Sequence, residues 1–441
     1  MTTATKDVQA RDKPILNTAG AVDAVANDAV LVIGSPPPYG RDLDLVSTPA
    51  DYAAISLRLV ELGHVRRRSS WVRFDLAGIS AVELFSTDSL RLAGSHERLF
   101  EDAVPVPGYG HLVRPAPHVV LLLAARGLVV RRGQVTTKAR RRVERALNDD
   151  AEAWSRAAAV ASELGLAGPL RVLQKTLSLS AAPSPLARAR ALATVALAPD
   201  PVATKAAQLS AALPRRIRPA LVSLSGPHGT GKSTQVETLS STLNTLGVVT
   251  ETQWAPAPPR QLPGIARILS ARLWGSPPSE PAPNSGPLGP VTVSPAPPKS
   301  ALVRLLAHAW CSEGAIVYAL RMWRYALRPR RAQVLVLDRF TVDASVALAY
   351  WFGHRRGVDL KVEQALLRLL SPRPRVSVLL LADAETLHSR RADEYTLEGF
   401  HLLRRLYADA GDRFGAALVD ANRPVEEVAR DVATLVWERL S

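Results

Sequence analysis

Cysteine is nearly absent: Cys311 is the only one in 441 residues. That excludes an intrachain disulfide and any zinc cluster built on cysteines. Long apolar runs are missing as well. The longest, Val119 to Val130, is interrupted by Arg126 and is too short to span a bilayer, so no membrane partner is expected. Met1 to Val22 is mostly polar and carries no apolar core segment, so neither a signal peptide nor export is expected, and the chain reads as cytoplasmic. Lysine is scarce at eight residues, so the net charge of +15 is almost wholly arginine. The basic clusters (Arg66-Arg67-Arg68, Lys138 to Arg145, Arg215 to Arg218, Arg328 to Arg331) are scattered and lack interleaved aromatics. They read as solvated faces or docking points for phosphates, and nucleic acid is not an expected partner.

What is present is the content of a globular protein, 47% hydrophobic and 22% charged, long enough for two or three domains. Residues 1–27 are expected to be disordered or a loose leading helix. An α/β domain is expected over 28–100, beginning with the apolar run Ala29 to Ile33. Residues 101–213 read as helical, with apolar spacing in Val119–Ala125, Lys138–Leu147, Ala151–Leu164 and Leu186–Leu197. Pro214 to Pro219 reads as a hinge. From 219 to 441 strands and helices alternate, with strands expected at 220–225, 248–253, 333–337, 376–381 and 416–419; that order predicts a parallel sheet covered on both faces. Residues 255–299 hold 13 prolines; Gly264 to Leu273 reads as a short helix and 275–299 as an unstructured insertion.

One motif dominates. Gly226-Pro227-His228-Gly229-Thr230-Gly231-Lys232-Ser233-Thr234 matches G-x-x-x-x-G-K-[ST] between an expected strand and an expected helix, Gln235 to Leu246. Chance would supply on the order of 0.004 such matches at this composition, so a loop that cradles phosphates is the better reading. The glycines let successive backbone amides face an anion, and the helix N-terminus adds positive charge. Lys232 is expected to reach the β- and γ-phosphates of ATP, and Ser233 to sit on Mg²⁺.

Further features follow in the same half. Val334 to Leu337 ends in Asp338-Arg339-Phe340, a carboxylate at the carboxyl end of a buried strand, where ligands of parallel sheets collect. Asp338 there binds Mg²⁺ or engages the acceptor; a helix cap is the plainer alternative. Arg339 offers a planar fork to a phosphate. Asp343, Ser345 and Tyr350 follow on the next helix. Arg390 and Arg391, after a short helix Ala384–Ser389, read as a lid that stabilises transferred charge, or as an ordinary exposed helix end. Asp420-Ala421-Asn422-Arg423-Pro424 reads as an adenine-side loop and helix start.

Together, the loop 226–234, Asp338-Arg339-Phe340 with Ser345 and Ala349-Tyr350, Arg390 and Asp420-Ala421 resemble the thymidylate kinase family from Pro219 onward. The resemblance implies a nucleoside-monophosphate-kinase fold, ATP, Mg²⁺, and dTMP as acceptor. Thr252-Gln253-Trp254 stands where the family has Arg-Glu-Pro, and Trp351 where it has Gln. The acceptor is therefore dTMP-like, another nucleotide, or another phosphorylated small molecule.

In the other half, Val30 to Ile33, Gly34-Ser35 and Asp42-Leu43-Asp44 resemble the nucleotidyltransferase superfamily. Strand alternation puts Asp42 and Asp44 on one face, where both can hold Mg²⁺. Gly34 and Ser35 would hold a triphosphate, and Lys138 with Arg140 to Arg142 would face phosphates. A third carboxylate is expected from Glu83, in the cleaner apolar strand, with Asp75 as the alternative. The expected fold class is thus α/β: a C-terminal P-loop kinase with a parallel sheet and helices on both faces, and an N-terminal nucleotidyltransferase-like α+β domain with a helical extension. Expected partners are a nucleotide or small-molecule acceptor; a homodimer is left open.

Overall fold

The computed structural model describes residues 14–37, 42–76, 78–90, 92–130, 135–178, 218–255, 301–328, 330, 332–354, 358–392 and 394–440. The expected helix Leu186–Leu197, most of the hinge 214–219, the helix Gly264–Leu273 and the insertion 275–299 lie outside these residues. The chain is α/β and divides into two compact units, Met1–Arg215 and Arg216–Ser441. No helix among the described residues is long and apolar enough to cross a membrane.

The first unit opens with α1 (Pro14–Asp23). This helix is packed, unlike the loose leader expected over 1–27: Ile15, Ala19 and Val22 recur on one face and are buried in a core. Asp23 ties its end down by accepting the backbone N–H groups of Gly110, His111 and Leu112 at 2.7–3.0 Å. There follow β1 (Val30–Val32), β2 (Asp42–Ser47), α2 (Pro49–Glu61), β3 (Val65–Arg67), β4 (Ser70–Asp75), β5 (Gly78–Ser86), the short α3 (Thr87–Leu90), β6 (Val104–Pro105) and β7 (Leu112–Arg114). The strands form one mixed sheet in the order β3-β4-β5-β2-β1-β7-β6. The sheet therefore runs past Phe100, where the sequence placed a boundary, because β7 pairs parallel with β1. The helices α4 (Pro117–Val130), α5 (Thr137–Asp149), α6 (Ala153–Ala161) and α7 (Ala167–Ser178) complete the unit.

Strand alternation decides what each face of that sheet carries. Leu43, Leu45, Val82 and Leu84 join the core under α1 and α2. Leu31, Val46 and Phe85 belong to the other core, shared with α4 to α7. Asp42, Asp44 and Glu83 alternate with the first set, so they face the helices that follow the sheet.

The second unit contains β8 (Ala220–Ser225), α8 (Lys232–Thr245), β9 (Thr250–Trp254), α9 (Ala301–Leu327), β10 (Val334–Asp338), α10 (Thr341–Leu348), a π-helical turn (Ala349–His354), α11 (Lys361–Leu370), β11 (Val376–Leu381), α12 (Ala384–Arg390), α13 (Leu397–Phe414), β12 (Ala417–Asp420) and α14 (Val425–Arg439). All four strand pairings are parallel, in the order β12-β11-β8-β10-β9. Leu221, Leu335 and Leu337 join a core with α9, α10 and α11. Val222, Leu224 and Val336 point the other way and are also buried, toward α8 and α14. Continuous apolar strands are what a sheet covered on both faces requires. Because every strand runs the same way, their carboxyl ends share one edge. The chain leaves β8 in one direction toward β9 and β10 and in the other toward β11 and β12, so the crevice opens at the end of β8.

Candidate functional site

At that edge the chain leaves β8 into residues 226–231 and enters α8 at Lys232. Three glycines make the loop. Gly226, Gly229 and Gly231 have φ of 150°, 84° and 78°, a region that L side chains rarely adopt. At Gly226 a Cβ would lie 2.2 Å from the backbone oxygen of Leu380, so β11 passes too close for any side chain. Gly231 is the left-handed N-cap of α8, which places Lys232 and Ser233 in the first helical turn with their N–H groups unspent. The helix starts three residues before the sequence reading put it, at Lys232 rather than Gln235.

Lys232 is 6% exposed and its Nζ donates to Pro227 O at 2.6 Å across the loop. Burial, with Arg339 nearby, pushes its pKa down to about 7. Thr230 Oγ1 also donates to Pro227 O, at 2.9 Å. Ser233 Oγ donates to Asp338 Oδ2 at 2.9 Å. Asp338 ends β10, directly beside β8 in register with Leu224. Its Oδ1 is buried with no hydrogen-bond partner. Asp338 is not the helix cap: α10 begins after Phe340, whose N–H donates to Asp343 Oδ2 at 3.2 Å. A serine hydroxyl beside a carboxylate with one unspent oxygen is a donor set that fits a hard divalent cation such as Mg²⁺.

Arg339 takes φ of 71°, and its backbone N–H donates to Leu224 O at 3.0 Å. Its guanidinium reaches Asp343 Oδ1 at 3.3 Å and His228 Nε2 at 2.8 Å. Asp343 also accepts Tyr407 Oη at 2.9 Å. Arg390 sits at the end of α12, where Nη1 donates to Gly229 O at 3.3 Å and Ala421 O at 3.1 Å. It thus ties the glycine loop to the segment after β12. Arg391 is half exposed, stands beside Gly229 and pairs with Glu394 at 3.5 Å. Asn422 Oδ1 accepts Asp383 N–H at 2.9 Å, joining the ends of β11 and β12. Trp254 is 61% exposed at the end of β9, in register with Asp338. Thr234 lies in the first turn of α8. Ser345 and Tyr350 are fully buried behind the site. The sequence reading missed the roles of Glu394 and Tyr407. The only signal for Glu394 was an acid close after the arginine pair, and Tyr407 carried none.

The first unit assembles a second polar cluster. Asp44 lies opposite Glu83 in the parallel pairing of β2 with β5. Asp75 instead ends a hairpin opposite Gly78 and pairs with Arg73 at 2.8 Å, which removes it from the cluster. Helix α5 supplies cations. Lys138 Nζ reaches Asp42 Oδ2 at 2.5 Å and Asp44 Oδ2 at 3.3 Å, and Arg142 Nη2 reaches Asp44 Oδ2 at 2.6 Å. Arg142 and Asp44 both crowd Gly34, where a Cβ would stand 3.3 Å from each. No group of three or more metal-ligating side chains forms among the described residues. Asp42 and Asp44, read from sequence as Mg²⁺ ligands with Glu83, are here paired with two cations of α5. A cavity of about 750 Å³ adjoins the cluster, lined by Asp44, Glu83 and Arg142 together with Val120, Leu123 and Leu128 of α4.

A scan against protein-family models and a search of curated proteins return no match for this chain.

Proposed function

We propose that the second unit is an ATP-dependent kinase of the nucleoside-monophosphate class, acting on a dTMP-like nucleotide or related phosphorylated acceptor. One observation carries the reading: a ring of left-handed glycines delivers Lys232 and Ser233 to the crevice of a parallel sheet, where Ser233 meets Asp338 at 2.9 Å. That geometry suits a triphosphate tail, with amides and the α8 N-terminus facing the anion. Lys232 would exchange its Pro227 carbonyl for the β- and γ-phosphates. In the reaction an acceptor phosphate oxygen bonds to the γ-phosphorus, the bond to the bridging β–γ oxygen breaks, and ADP leaves. Ser233 and Asp338 would hold Mg²⁺, which when bound neutralises phosphate oxygens. Arg339 would hold the acceptor phosphate. Arg390 would keep the glycine loop and the segment after β12 in one position, and Arg391, half exposed, would exchange its Glu394 partner for the transferred charge.

The first unit supports a narrower reading. Its cavity, lined by both apolar and charged side chains, suits a small-molecule ligand. Its resemblance to nucleotidyltransferases stays a proposal of shared architecture, and no metal-dependent transfer step is assigned to Asp42 and Asp44.

The kinase reading is tested with radiolabelled ATP against dTMP, dUMP, UMP and sugar phosphates. Label transfer to one acceptor, abolished by Lys232→Ala, supports it. Steady ATP hydrolysis indifferent to every acceptor would instead make the unit a nucleotide-driven switch.

A further inference from the structure

We propose that His228 is a positioning residue: it links Glu394, on the segment between α12 and α13, to the guanidinium of Arg339, and thereby sets how the second unit holds its acceptor phosphate. The proposal rests on the kinase reading above.

The geometry of Arg339 is the starting point. A left-handed backbone is costly for a long side chain and persists where its surroundings hold it. Here it turns the guanidinium back over the glycine loop, between two partners. Asp343 is itself fixed, by Tyr407 Oη at 2.9 Å and the Phe340 N–H at 3.2 Å. The other partner is His228, which belongs to the loop.

The partners of the imidazole settle its tautomer. A guanidinium can only donate, so the contact at 2.8 Å makes Nε2 the acceptor. The ring proton then resides on Nδ1, which stands 3.0 Å from Glu394 Oε2, a close charge contact rather than an aligned hydrogen bond. Burial, together with Lys232, Arg339 and Arg391, pushes the ring pKa down to about 3, so it stays neutral in this position. A neutral partner has a consequence for charge. Arg339 is matched by the carboxylate of Asp343 on one side and by an uncharged ring on the other, which leaves positive potential for an anionic acceptor. A carboxylate at residue 228 would cancel it.

Glu394 supplies the far end of the chain of contacts. It follows α12, the helix that carries Arg390 and is capped by Arg391, and it also pairs with Arg391 at 3.5 Å. When that segment shifts, Nδ1 loses its carboxylate, the ring is free to turn, and Arg339 loses one of its two anchors. The position of Glu394 and capture of the acceptor phosphate are thus linked through one imidazole, on which Lys232 acts through its charge while its own hydrogen bond goes to Pro227 O.

Two measurements on the full-length protein test this. The first is steady-state kinetics, varying ATP and acceptor separately, for wild type, His228→Ala and His228→Gln. The expected result is an acceptor KM raised about tenfold in His228→Ala with ATP KM changed less than about threefold, partly restored in His228→Gln, whose amide can accept from Arg339. Equal rises in both KM values would mean that the loop is merely damaged, and an unchanged acceptor KM in an active enzyme would remove His228 from the mechanism; either overturns the proposal. The second measurement needs no turnover: nitrogen NMR of labelled imidazoles, with the His228 signal assigned by its loss in His228→Gln. A neutral Nδ1–H form at pH 7 is expected, and the Nε2–H form overturns the proposal. Wild-type protein that phosphorylates no acceptor overturns the kinase reading and the catalytic consequence with it, while the NMR result still decides the contact.

Discussion

In the first unit, Asp42 and Asp44 meet cations that lie 94 to 98 residues further along the chain, on α5. In the second, Lys232 and Ser233 stand within one nine-residue stretch whose shape is set by three glycines. Both units gather charge beside a sheet, yet one does so by matching side chains across the fold and the other by bending the main chain. A side-chain match leaves the carboxylates already satisfied. A bent main chain leaves amides and one oxygen of Asp338 unspent, ready for a ligand. The comparison suggests where each unit is fragile: the second at its glycines, the first at its ion pairs.

The largest expected effect comes from Gly226→Ala. Its Cβ would meet a backbone oxygen at 2.2 Å, and the φ of 150° disfavours any side chain, so a loss of about 4 kcal/mol is expected in the second unit. Gly231→Ala, whose Cβ would meet nothing within 4 Å, should cost only about 1 kcal/mol of backbone strain. Hydrogen exchange on peptides from each unit would localise the loss; equal costs for the two variants would break the argument from the close approach.

Acid should come next. His64 is buried in the first unit, its Nε2 3.0 Å from Ser80 Oγ. Burial, aided by Arg73, pushes its pKa down from 6.5 to about 4. A group that is harder to protonate in the fold gives stability that is complete above its unfolded pKa. That stability is lost as pH falls from about 6.5 toward 4, to a total of about 3 kcal/mol. His228, pushed from 6.5 to about 3, gives the second unit the same sign over a window that starts at the same pH and extends lower. Urea melts between pH 7 and 4 should show the slope, and His64→Gln should flatten it in the first unit alone. An unchanged slope would mean that the ring is already charged in the fold.

Next comes Arg142→Ala, about 2 kcal/mol, because Asp44 is nearly buried and would keep only the longer contact to Lys138. Adding Asp44→Asn should return part of the loss. If the double variant is no more stable than the single one, the pair is not what holds α5 to the sheet.

Much of the second unit was legible in the sequence because its signals are local. The runs at 220–225 and 376–381 are apolar apart from buried serines, and they occupy those same residues in the sheet. The strand around 250 reads polar and was placed two residues early at its start, since an edge strand with Glu251 and Gln253 carries little apolar pattern. The choice between Glu83 and Asp75 was open for a related reason. Both lie in apolar strands, and only register separates them: Glu83 falls opposite Asp44, and Asp75 falls at a hairpin end. Arg390 could be recognised as a cation near the site, but its hold on the Gly229 and Ala421 carbonyls depends on two loops meeting.

By itself, the order of residues determined the glycine loop, the helix behind it and the parallel alternation of the second unit, because φ preferences and apolar periodicity act over a few neighbouring residues. Only the tertiary structure decided that Lys138 and Arg142 take the aspartates of the first unit and that His228 stands between Glu394 and Arg339. Those partners are separated by roughly a hundred residues or more, and nothing short of the packed fold brings such groups within a hydrogen bond's length.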